Sequence, residues 1–273
     1  MRLGLEAGAD TLELAKELNI KGVPINASDL AEKGVEETLN PLKEKGLEVC
    51  QIGAFGFNPL STDEAAQAKQ REMLEKVIPL APETGCPYIV ICGGNYHPSG
   101  FGGHDLRNEE PEALDKIAEV LKPFLEQAEQ HGVYLSIEAY LKTAINSPER
   151  FLKLKEKVNS DALRVNIDVT SLYDYSDFLD PGDTIKDVCT GLAGHYGLGH
   201  IKDIELKDGF HLHAGLAPLG SSPTDWKTVL KLMEPHLPED SWLILEHVLS
   251  PEEARKSVAY LRNAAEQAGT TFS

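Results

Sequence analysis

Four side chains able to ligate a metal, Glu138, Asp168, His200 and Glu246, each stand at the C-terminal end of a short β-rich run: LSIEAY, RVNIDVT, GLGHIKD and SWLILEH. If those runs are successive parallel strands, the four converge on one mouth. Three carboxylates and one imidazole make an oxygen-rich set suited to one divalent cation, and they leave coordination positions open to a substrate. This donor chemistry leads us to expect Mn, with Mg or Co as alternatives, rather than a closed structural zinc site. Taken singly, a strand-end carboxylate is more often a solvated loop residue than a ligand. Four of compatible chemistry at four consecutive strand ends are harder to dismiss.

Convergence of this kind needs a sheet that delivers strand ends to one place. Short β-branched or apolar runs alternate with longer segments of helical period, the pattern of βα units around a parallel sheet. The expected strands are RLGLEA, IKGVPIN, LEVCQIG, YIVICGG, VYLSIEA, LRVNIDV, GHIKDIE and WLILEHV, eight in all. Between them lie amphipathic stretches such as DEAAQAKQREMLEKVIPLA and EEPEALDKIAEVLKPFLEQAEQHG. The second has Pro111 near its start and Gly132 where a helix should stop. Eight such units predict a single α/β domain over residues 1–273, closed as a (β/α)8 TIM barrel. A doubly wound sheet is the alternative, but no GxGxxG follows the first strand to support nucleotide binding.

Composition removes several partner classes. The chain has 273 residues, close to the roughly 250 of a one-domain α/β barrel. With 26 basic and 44 acidic residues it carries a formal charge of -18, which repels nucleic-acid backbones and anionic membrane surfaces. Solubility is the plain meaning of that charge. Cys50, Cys86, Cys92 and Cys189 form no CxxC pair and no short secreted framework, so a reducing compartment is expected. No basic-then-apolar leader follows Met1 and no apolar run is long enough to span a bilayer, so the cytoplasm is the expected location.

IEAY with Glu138, NIDVTS with Asp168, GHIKD with His200, the following PLGSSPTDW, and LILEH with Glu246 together resemble the xylose-isomerase-like TIM barrels of the sugar isomerase and epimerase family. The order matches as well. The resemblance covers the C-terminal half; the N-terminal half shares mainly the βα rhythm. It implies that Glu138, Asp168, His200 and Glu246 bind one divalent metal, with Glu138 and Glu246 doubling as the catalytic acid/base pair. Its substrate would be a small carbohydrate. Relatives often pair through barrel helices, so a homo-oligomer or hetero-complex belongs to the same expectation.

The chemistry follows from the weak acidity of a proton beside a carbonyl, which cannot be removed unless the developing enolate charge is stabilised. Glutamates on the fifth and eighth strands could approach the substrate carbon from opposite sides, one removing a proton and the other returning one. Return to the same carbon inverts it; return to its neighbour moves the carbonyl. If His200 ligates through one nitrogen, the other needs an orienting partner. Lys202 and Asp203 lie nearby, and alternation places Lys202 on the His200 face as a substrate-binding candidate. Three positions depart from the family pattern. Ser171 stands where many members carry His or Asn, while Ala144 and Leu206 replace a Glu and an Arg that contact substrate hydroxyls in tagatose-type 3-epimerases. Lys142 and Lys207 lie close to these gaps, and Lys142 is taken as a candidate contact, although a solvated loop lysine is the commoner case.

The loop GGNYHPSGFGGHD after the fourth strand supplies Tyr96, His97, Phe101 and His104 on a glycine-rich segment suited to a lid. His97 is the preferred additional catalytic group for acid/base or hydroxyl contact. His211 and His213 share a face of the loop after the seventh strand if it is extended, which suits substrate binding more than a second metal; plain exposure is the simplest reading. Trp226 and Trp242 could stack on a sugar but fit a barrel core as well. Three functions follow. The first is a metal-dependent isomerase or epimerase. The second is a lyase that uses the same enolisation to expel a β substituent, as inosose dehydratases and enzymes cleaving 3-keto-glycosides or oxidised C-glycosides do. The third is nucleic-acid processing of the endonuclease IV type, which the charge and the missing three-metal ligand set disfavour.

Overall fold

The computed structural model describes residues 1–273. Its strands are β1 (Arg2–Leu5), β2 (Gly22–Asn26), β3 (Glu48–Ala54), β4 (Tyr88–Cys92), β5 (Tyr134–Glu138), β6 (Leu163–Ile167), β7 (Tyr196–Ile201), β8 (Asp203–Leu206), β9 (Ala214–Ala217) and β10 (Trp242–Leu245). Eight of these close into a parallel barrel in the order β1-β10-β7-β6-β5-β4-β3-β2. Closure runs through β1 and β10, from Arg2 beside Trp242 to Leu5 beside Leu245. The expected (β/α)8 TIM barrel is therefore present, with every predicted run contributing its strand.

The connecting helices are α1 (Thr11–Glu17), α2 (Ala27–Lys43), α3 (Glu64–Leu80), α4 (Pro111–His131), α5 (Pro148–Val158), α6 (Gly182–Gly191), α7 (Trp226–Met233) and α8 (Pro251–Ala268). Their ends follow local chemistry. In α4, Pro111 occupies the first turn, where a missing N–H costs nothing, and Gly132 ends the helix at φ 66°. Ser147 and Ser250 accept backbone N–H groups at the starts of α5 and α8. The apolar faces of the helices pack on the outside of the barrel. Trp226 and Trp242 both belong to the continuous core, so neither is free to stack on a sugar.

One segment departs from the sequence expectation. GHIKDIE reads as a single strand, but the barrel strand stops at Ile201 and the chain re-forms as β8, paired antiparallel with β9. The break falls where Asp203 turns inward to accept Trp226 Nε1 at 2.9 Å and Gly220 N at 2.6 Å. A buried carboxylate needs such donors, and meeting them pulls the chain out of the barrel ladder. The resulting hairpin stands over the barrel mouth. No helix is long and apolar enough to cross a membrane.

Candidate active site and metal centre

β5, β6, β7 and β10 are consecutive neighbours in the barrel, so their C-terminal ends form one arc of the rim. Glu138 closes β5, Asp168 follows β6, His200 is the penultimate residue of β7, and Glu246 follows β10. All four are buried, and one donor atom from each lies within 4.8 Å of the others.

His200 determines how this cluster can hold a metal. Its Nε2 lies 2.8 Å from Gln51 Oε1, an acceptor only, so this nitrogen carries a hydrogen. Nδ1 is left facing the carboxylates, 3.1 Å from Glu246 and 3.6 Å from Glu138. The orienting partner that sequence reasoning sought in Lys202 or Asp203 is Gln51, at the middle of β3. Two influences act on Nδ1 in opposite senses. Asn166 Nδ2 approaches it at 3.0 Å, a donor suited to a neutral ring, while the glutamates favour a charged one. Burial lowers the His200 pKa, but Glu246 and Glu138 outweigh it and raise it to about 10. The full negative charges prevail over the amide dipole.

Lys202 is part of the cluster as well as beside it. Its ammonium donates to Asp168 and, at 2.6 Å, to Glu246, and it lies 3.9 Å from Glu138. Burial opposes its charge, but Asp168, Glu246 and Glu138 hold its pKa well above the usual lysine value. Burial likewise pushes the Glu246 pKa up, while His200 and Lys202 override that and hold it well below the usual value. Asp168 is fixed further by Thr170 Oγ1 at 2.9 Å, Ser171 Oγ at 2.9 Å and Ser171 N at 3.2 Å. Ser171, a departure from the family pattern, thus serves as a clamp on the carboxylate.

These residues fit a divalent cation. Nδ1 of His200 and the three carboxylates converge within 4.8 Å of one another, and the Gln51 and Asn166 amides hold the imidazole in place. Charge agrees. Three carboxylates are neutralised by the Lys202 ammonium and one divalent cation once His200 has released its Nδ1 proton.

The family model of the xylose isomerase-like TIM barrel matches residues 2–264. The chain belongs to that family. A xylose isomerase-like TIM barrel protein from Mycobacterium smegmatis in complex with magnesium is similar at TM-score 0.72 and 18% identity, with 96% of this chain and 88% of the other covered. The apo form of 3-keto-D-glucoside 4-epimerase from E. coli is similar at TM-score 0.70 and 18% identity, over 96% and 99% of the two chains. A probable 3-DHS dehydratase from Bacillus anthracis gives TM-score 0.68 at 17% identity, over 95% and 98%. No curated protein sequence matches this chain.

In this xylose isomerase-like barrel part of the cluster forms the floor of a cavity of about 570 Å³. Glu138, Lys202 and Glu246 line it together with Glu6, Thr170, Ser171 and His247. Glu6, at the end of β1, went unnoticed in the sequence because a single strand-end carboxylate carries little signal. Burial, then the nearby Glu246 charge, raises its pKa. His247 turns the chain sharply after Glu246 through a left-handed backbone at φ 55°, a conformation that non-glycine residues adopt sparingly.

Other expected site residues lie elsewhere. His97 does not line the cavity: its Nδ1 bonds Ser99 Oγ at 2.8 Å, and its ring lies against Gly103, where a Cβ would come within 2.2 Å of it. Lys142 points at Gly102 O, 3.5 Å away. His211 and His213 are exposed in the turn between β8 and β9. The hairpin carries the turn with His211 and His213 away from the floor. Ala144 is buried and Leu206 ends β8, so neither offers a polar contact there.

Proposed function

We propose that this protein is a divalent-metal-dependent isomerase or epimerase of a sugar or keto-sugar, acting by proton removal next to a carbonyl. One observation carries the reading: Glu138 and Glu246, on strands separated by β7 and β6, share the donor cluster and both line the cavity. They can therefore address one bound carbon from opposite ends of the arc. Glu138, Asp168, His200 and Glu246 would hold the cation, which would supply Lewis acidity toward a carbonyl oxygen beside the C–H to be broken. One glutamate, ionised, takes that proton; the other, first protonated from solvent, returns one to the same carbon or its neighbour, and the first then releases its proton to solvent. Lys202 helps hold Glu246 ionised and presents N–H donors to a substrate oxygen. Mn suits the donor set, with Mg or Co as alternatives. The similarity to 3-keto-D-glucoside 4-epimerase supports this reading.

A lyase is the second reading, and the position of Lys202 favours it. An ammonium beside both glutamates can protonate a departing β oxygen as its C–O bond breaks, after a glutamate has taken the α proton. The dehydratase among the similar structures is in keeping with such chemistry. The test is to incubate metal-replete protein with ketoses and 3-keto-glycosides in heavy water. Deuterium in an intact isomer supports the epimerase reading, and released aglycone or a dehydrated, unsaturated product supports the lyase. Absence of any α-proton exchange, isomer or elimination product overturns both.

A further inference from the structure

The cavity above the cluster is chemically two-sided. Its floor is polar and charged, whereas its walls carry Phe55, Phe101, Tyr140, Ile204 and Leu216. These side chains come from separate parts of the chain: the loops after β3, β4 and β5, and both strands of the hairpin that follows β7. Phe101 and Tyr140 face each other with ring centroids 5.9 Å apart and planes at 58°. Ile204 lies directly across from Leu216 in the hairpin ladder, and both line the cavity.

All five wall residues are half-buried rather than buried, so they retain apolar surface that no other part of the chain covers. A two-stranded hairpin is at best marginally stable alone, and turning its apolar pair toward an aqueous cavity forfeits the burial that would hold it. The cavity volume of about 570 Å³ sits inside the range of roughly 300–1,000 Å³ typical of sites for drug-sized ligands, generous for one sugar ring. A sugar with hydroxyls on every carbon is served by the floor but leaves hydroxyls unpaired against the walls. A ligand with one polar end and one flat apolar end satisfies both.

We propose that the upper part of the cavity is a subsite for an apolar, aromatic aglycone. The substrate is then a glycoside whose sugar ring lies on the Glu138/Lys202/Glu246 floor and whose aglycone lies between Phe101, Tyr140 and the Ile204–Leu216 face. This assignment of the sugar end rests on the keto-sugar reading of the floor.

The test compares binding of phenyl and methyl β-D-glucoside to the metal-loaded protein by titration calorimetry. The subsite predicts about tenfold tighter binding of the phenyl compound, equivalent to about 1.4 kcal/mol. In Phe101→Ala and in Leu216→Ala, each checked for folding by circular dichroism, the ratio of the two affinities falls toward one. Equal affinities in the parent protein, or no saturable binding of either glucoside, overturn the proposal. A ratio unchanged in both folded variants overturns the placement between these walls. Heavy-water exchange with the methyl and phenyl 3-keto-glucosides separates the two readings. Exchange without a phenyl preference removes the subsite and keeps the floor chemistry; a phenyl preference without exchange removes the floor chemistry and keeps the subsite.

Discussion

Gln51→Leu should weaken divalent-metal binding by one to two orders of magnitude without unfolding the barrel. Gln51 is wholly buried, and its Oε1 holds the His200 Nε2 hydrogen at 2.8 Å, leaving Nδ1 toward the carboxylates. Leucine is close to glutamine in volume, so packing changes little, but the imidazole loses the partner that sets its tautomer and angle. Removing such a partner typically costs about 10–100-fold in metal affinity, or about 1.4 to 2.8 kcal/mol. The effect on folding should be smaller than the roughly 1.5–3 kcal/mol of a charge-assisted hydrogen bond, because Gln51 Nε2 has no partner and its removal relieves a buried donor. Competition with a fluorescent chelator at fixed pH measures the affinity, and thermal melts measure the fold. Gln51→Glu retains an acceptor and should bind metal far better than Gln51→Leu. A Gln51→Leu protein that melts normally and binds metal within about twofold of the parent, against the expected 10–100-fold, would refute the role given to Gln51.

Metal affinity should rise with pH, by about tenfold per unit while one proton is displaced from His200; a flat chelator-competition profile between pH 6.5 and 8.5 counts against it. In chelator-treated protein the same group acts in the opposite sense. Its raised pKa makes its stabilisation complete below 6.5 and lost as the pH climbs through about 10, so denaturant midpoints should fall over that window. Glu6→Gln should stabilise the chelator-treated protein at neutral pH and have little effect below pH 4.5, since the raised pKa of Glu6 means that its ionisation costs stability as the pH rises; melts at the two pH values give the comparison. Lys202→Met strands three carboxylates around a lost cation and should lower the stability of chelator-treated protein by about 3–5 kcal/mol, with added divalent metal recovering part of it. Equal denaturant midpoints for Lys202→Met and the parent would show that the ammonium is dispensable.

The barrel was legible because its determinants are local. Apolar runs of strand length, Pro111 and Gly132 bracketing a helix, and repeated alternation of the two element types are written within short windows. The quartet of Glu138, Asp168, His200 and Glu246 was legible for the same reason: once strand ends are known, closure of a parallel barrel brings them to one rim. Lys202 followed from alternation alone. His97 and His211 show the limit of such reasoning, since residue type marks a candidate, but the path of a loop determines whether it reaches the floor.

The sequence by itself determined the eight-strand repeat, the acidic charge and the four strand-end residues that the barrel gathers into one cluster. Tertiary structure alone decided that Gln51, 149 positions from His200, fixes its tautomer. It also decided that Glu6 joins the cavity, that Asp203 leaves the ladder to meet Trp226, and that the hairpin lays Ile204 and Leu216 over the mouth. The physical reason is that periodicity specifies which face of an element is buried, whereas hydrogen bonds and cavity walls depend on the register and packing of segments far apart in the chain.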